Sequence, residues 1–143
     1  MRVVMPGLIL SLSLLTGGPL YAGAACVVAK ELGNSLAIEL VAGPNETVSS
    51  ATDKGIERLR KKGFHKKYQD PHAQAISDLK HAYAVVIKTQ YKTFRGKPRT
   101  SYGCGFSPYS YPGAEQAALL DLQNYSWGWK PAYGYEVFKK LKY

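Results

Sequence analysis

Two cysteines, Cys26 and Cys104, lie far apart in a chain of 143 residues, and the fate of their sulfurs most constrains what this chain can fold into. Joined to each other, they close a loop that contains more than half of the sequence and tie the start of the domain to its second half. A bridge of that span stabilises a fold by about 4 kcal/mol when unstrained. The alternative is a lipid anchor on Cys26, which directly follows an apolar leader. A lipobox has a bulky aliphatic residue three places before the cysteine, and that place is Gly23. Lipidation would also leave Cys104 as an unpaired thiol in an oxidising compartment. Both fates belong to an exported protein.

Residues 1–24 read as a secretory signal peptide. Arg2 supplies the positive start, the run from Leu8 to Leu15 the apolar core, and Ala22-Gly23-Ala24 the small residues that a signal peptidase accepts. The apolar run is too short to cross a hydrocarbon core of ~30 Å, so no transmembrane segment remains after cleavage. Residues 25–143 then form a single small domain, expected in the periplasm or outside the cell, with an outer-membrane lipoprotein as the alternative location. The chain carries 19 Lys and Arg against 10 Asp and Glu, and loss of Arg2 leaves the mature domain a surplus of eight positive charges. That bias favours acidic partners: a cell-envelope polymer or an acidic protein such as a toxin or hydrolase. Export disfavours nucleic acid.

Patterning predicts an α+β domain. Ser35–Val41 alternates Leu36, Ile38 and Leu40 with more polar neighbours, a half-buried strand. A helix follows, capped by Ser49 or Ser50 and ended by Gly63, with Ala51, Gly55 and Leu59 four residues apart. Asp70-Pro71 predicts a short helix carrying Ala73, Ile76 and Leu79. Ala82–Phe94 and Thr100–Phe106 flank Arg95-Gly96-Lys97-Pro98 as a hairpin. Ser110–Asn124 is a second helix and Tyr133–Tyr143 a last strand. The sum is a four-stranded, mainly antiparallel sheet with two helices on one face, for which a ferredoxin-like split connection serves. Val27–Lys30 would start a further strand. Each half reads as strand, Gly/Pro turn and Ser-capped helix, without the identity of a sequence repeat.

No carboxylate pair, phosphate loop, zinc signature or nucleophile elbow stands out. His65, His72 and His81 have no metal-ligand spacing, so neither metal nor cofactor is expected. The denser constellation is aromatic and basic. Tyr109, Tyr111, Tyr125, Trp127 and Trp129 are interleaved with Arg99 and Lys130. Aromatic faces stack on rings while Arg or Lys holds an anionic group beside them. The turn from Tyr125 to Pro131 is the centre of that expectation.

The segment from Tyr102-Gly103 through Ser110 into Ala114-Glu115-Gln116-Ala117-Ala118-Leu119 resembles a group of small exported bacterial domains of unknown function. Those pair an aromatic/Gly hairpin with a helix of the type A-E-x-A-A-L. They usually carry further cysteines after the helix, where this chain has Tyr125 and Trp127-Gly128-Trp129. The first half, SLAIELV followed by IERLRKKGF, is similar to the strand–helix half of a sporulation-type glycan-binding repeat. Neither resemblance implies catalytic residues. The function expected is an exported, non-enzymatic binding module. Its alternative is a small secreted hydrolase or transferase using Cys104 or a histidine.

Overall fold

The computed structural model describes residues 22–143. The expected signal peptide, residues 1–24, lies almost wholly outside that range. Six strands and two helices follow in the order β1 (Gly23–Glu31), β2 (Asn34–Gly43), α1 (Val48–Lys61), β3 (His72–Ser77), β4 (Tyr83–Lys92), β5 (Pro98–Ser107), α2 (Tyr111–Tyr125) and β6 (Glu136–Lys142). They form two antiparallel three-stranded sheets, ordered β2-β1-β3 and β5-β4-β6, rather than one four-stranded sheet. The helices do not share a face either. Side-chain alternation along the two central strands explains both corrections. Cys26 and Val28 of β1 meet Ala84 and Val86 of β4 in a core between the sheets. Ala25, Val27 and Ala29 turn the other way, onto Ala51 and Leu59 of α1. Val85 and Ile87 turn onto Ala114, Ala118 and Leu122 of α2. The result is four layers: α1, first sheet, second sheet, α2.

β1 lacks the alternation that marks a half-buried strand. From Gly23 to Ala29 every residue is buried, so the strand has no polar face and no alternation to reveal it. Its first residues pair with Ala42 and Gly43, which places the expected end of the leader, Ala24, within the strand. The segment after Asp70-Pro71 also departs from expectation. His72–Ser77 is an extended edge strand antiparallel to β1 instead of a short helix. The favourable helix start is overridden by the backbone hydrogen bonds that β1's second edge offers.

The two halves share one ββαβ arrangement. In each, the first strand is central and the third pairs on its far side. A short 3-10 turn precedes that third strand in both, at Lys67–Gln69 and Pro131–Tyr133. The helices are capped by Thr47 and Ser110, whose hydroxyls accept the N–H of Ser50 and Gly113. Thr47, not Ser49 or Ser50, is thus the first cap; Ser50 completes a capping box by accepting the Thr47 N–H. Buried residues follow each cap at the same spacing: Ala51, Gly55 and Leu59, then Ala114, Ala118 and Leu122. A β-bulge falls at the same place in both central strands, after Cys26 and after Val86. Even the cysteines obey the correspondence, because Cys26 pairs with Leu40 in one sheet and Val86 with Cys104 in the other.

Cys26 and Cys104 are joined, with Cα atoms 6.4 Å apart, and the bridge crosses from one unit to the other. The sulfur that a lipid anchor would need is therefore in the bridge. No helix among the described residues is long and apolar enough to cross a membrane. Close to the disulfide, Asp121 of α2 accepts the Cys104 N–H at 2.8 Å and the Gln74 amide at 2.8 Å. Gln74 also donates to the Tyr102 carbonyl. That cluster satisfies two backbone groups on the outer edge of β5, which no strand covers. Two glycines of β5 let α2 lie directly on the strand. A Cβ at Gly103 would stand 2.1 Å from the Ala118 carbonyl, and one at Gly105 2.2 Å from that of Ala114.

Candidate functional site

The units differ most at one end of the second sheet. In the first unit a two-residue turn, Leu32-Gly33, joins the hairpin strands, and both residues have positive φ. In the second a five-residue loop, Thr93–Lys97, takes its place. It is closed by a Thr93 N–H to Lys97 carbonyl bond and by Gly96 in the left-handed region. This longer loop carries Phe94 fully into solvent. The second departure follows the helix. Where α1 ends in Lys62-Gly63-Phe64, with Phe64 packed against the core, α2 ends in Ser126-Trp127-Gly128-Trp129.

The two tryptophans there have opposite roles. Trp129 is half-buried against the α2 core, and its indole N–H reaches Thr89 Oγ1 at 3.0 Å and the Gly134 carbonyl at 3.1 Å. Thr89 in turn donates to the same carbonyl. A donor-only indole needs such acceptors when it leaves water. Ser126, also buried, shares a hydrogen bond with Ser101 at 2.5 Å and accepts the Trp129 N–H through its carbonyl. With the turn pinned from inside, Trp127 is left 96% exposed. Gly128 lies against the Tyr91 ring, where a Cβ would stand 3.1 Å from Cε2. Tyr133 meets Tyr91 edge to face at 6.1 Å, and its hydroxyl lies 3.4 Å from the Lys92 carbonyl.

Between loop and turn lies an open groove of about 650 Å³, within the usual size of ligand clefts of ~300–1,000 Å³. Five rings line it: Phe94 and Trp127, both almost fully exposed, with Tyr91, Tyr125 and Tyr133. Its ionic lining consists of Lys92 and Lys130; no Asp or Glu lines it. Arg95 and Lys97 lie on the Phe94 loop and are exposed. Tyr125 is braced from behind by Lys30, whose ammonium sits 4.7 Å from the ring centre. Burial lowers the pKa of Lys30, and the charge of Asp121 acts against that shift. Burial raises the pKa of Asp121 from its ordinary value, opposed by its bonds from Gln74 and Cys104 and by Lys30.

Three of the expected binding residues therefore converge: Trp127, Tyr125 and Lys130. Trp129 lies in the same turn but faces inward. Arg99 lines a separate shallow depression with Asn34 and Gln90. Tyr109 and Tyr111 stand at the start of α2, a helix of 15 residues and so about 22 Å long. Tyr111 packs on Tyr83 under Lys140. Phe94, Tyr91 and Lys92 were absent from the expected set. A phenylalanine beside Arg-Gly-Lys at a hairpin tip is the signal that could have found Phe94, because a buried ring does not belong there. His65, His72 and His81 are all exposed, and the described residues contain no grouping of three or more potential metal ligands. Cys104, the candidate nucleophile, is oxidised and buried. No family model, curated protein or solved structure matches the chain.

Proposed function

We propose that this protein is an exported binding module whose basic, aromatic groove contacts an acidic polymer of the cell envelope. The groove itself carries the proposal: exposed rings around two lysines, with no acidic side chain in its lining. Rings and ammonium groups together favour a ligand that offers both flat apolar faces and negative charge. A globular protein partner fits less well. A standard protein interface engages ~20–30 residues a side, whereas nine line this groove. The bridge between Cys26 and Cys104 suits an oxidising compartment, in keeping with the leader. The module does no chemistry on what it holds; its role is attachment.

Retention of the mature protein on immobilised envelope material tests this. Binding that weakens between about 50 mM and 500 mM salt is expected, because screening tightens over that range. No retention at low salt, or retention indifferent to salt, overturns the proposal.

A further inference from the structure

The groove arises where the second ββαβ unit departs from the first, and both departures add an exposed ring. Lengthening the hairpin from Leu32-Gly33 to Thr93–Lys97 adds Phe94; inserting an outward residue after the helix adds Trp127. Neither ring supports the fold, since Phe94 and Trp127 are the most exposed large apolar side chains among the described residues. Leaving two rings in water is unfavourable unless a ligand covers them, and scattered surface apolar residues do not share one groove. The lysines of the groove flank the two departures, Lys92 as the last residue of β4 and Lys130 directly after the turn.

Building on the reading above, we infer that the occupant is a carboxylated polysaccharide, a chain of uronic-acid type, stacked on Trp127 and Phe94. Sugar rings present C–H faces that lie flat on an aromatic face, and several exposed rings line this open groove. Lys92 and Lys130 then receive the ring carboxylates. A single-stranded nucleic acid would use the same elements, rings under bases and lysines under phosphates. The bridge between the units suits an oxidising compartment outside the cytoplasm, where such strands are scarce, and this favours the sugar.

The test uses the mature, oxidised protein and three probes: polygalacturonate, its fully methyl-esterified form, and oligothymidylate. Binding is read by affinity electrophoresis and by tryptophan fluorescence. Polygalacturonate is expected to bind, with its neutral ester at least tenfold weaker. W127A and F94A are each expected to weaken binding by about tenfold, with unchanged melting temperature, because both side chains are exposed. K92Q/K130Q is expected to remove the preference for the charged form. Equal binding of ester and acid, tighter binding of oligothymidylate, or full binding by W127A each overturns the inference. Failure on polygalacturonate with continued salt-sensitive retention on envelope material overturns it alone and leaves the broader function standing.

Discussion

Opening the Cys26–Cys104 bridge should remove a large part of the domain's stability. The bridge is the one covalent tie between the two units apart from the chain joining β3 to β4. It closes a loop of 78 residues, for which loop-closure entropy gives about 4.5 kcal/mol at 25 °C. Domains of this size have ~5–15 kcal/mol in total, so roughly 30% or more of the stability is at stake. Cys26 and Cys104 are both buried among Val28, Val86, Leu40 and Tyr102, where a thiol packs as a small apolar group. Reduced protein should therefore still fold, but weakly. Urea denaturation of the reduced wild type and of C26A/C104A provides the assay. With a slope of about 2 kcal/mol per molar urea, the midpoint should fall by about 2 M. The alanine pair loses somewhat more than reduction alone, since it also removes both sulfur atoms from the core. A loss below about 1 kcal/mol in both would refute the reasoning. Packing between the sheets would then hold the units without help.

Three further outcomes follow from the packing. Gly105→Ala drives a methyl into the α2 backbone and should cost at least 2 to 3 kcal/mol by chemical denaturation, whereas Gly43→Ala, whose Cβ would lie 3.6 Å from the Glu46 side chain, should change stability by under about 0.5 kcal/mol. Trp129→Phe removes the indole bonds to Thr89 and Gly134 and should cost about 1 to 2 kcal/mol; Trp127→Phe, exposed, should cost almost nothing on the same denaturation curve. Asp121 has a folded pKa raised above its unfolded one by burial, so between those two values the folded state holds a proton that the unfolded state has lost, and stability from this group falls as pH rises through the window. Asp121→Asn keeps an acceptor for Cys104 and Gln74, and its stability relative to wild type should rise from about pH 4 to about pH 7; a constant difference across that range would contradict the raised value.

The sequence was legible where one face of an element met water. β2, β4 and β5 declared themselves by alternation, and both helices by small residues at four-residue spacing. The Tyr102 and Cys104 face of β5 and the opposing glycines were readable because side chains alternate whatever the sheet does. β1 was legible only at Val27–Lys30, since burial on both sides removes the pattern that marks a strand. Reading β1 only as a start at Val27–Lys30, and β3 as a short helix, hid the second sheet, so the likeness of the halves was legible only as strand, turn and capped helix. The repeat is preserved in caps, bulge positions and burial, not in residue identity. Ala51 and Ala114 match, but Gly55 corresponds to Ala118 and Cys26 to Val86, so side-chain comparison alone dilutes it. At the site, Trp127, Tyr125 and Lys130 were readable as a cluster in one turn. Phe94 and Tyr91 were not, because only the folded hairpin carries residues more than 30 positions upstream to that turn. Trp127 and Trp129 cannot be told apart by type. What separates them is the acceptor pair, Thr89 and Gly134, that waits on one side of the turn.

The central claim is that one end of the second sheet is the binding surface. Backbone amide chemical shifts recorded while a short oligogalacturonate is titrated into the oxidised protein test it most directly. The account predicts that perturbations concentrate in Tyr91–Lys97 and Tyr125–Tyr133 and leave the outer face of α1 and the lysines of β6 unmoved. Shifts centred on Lys139, Lys140 and Lys142, or spread evenly over the basic surface, would contradict it.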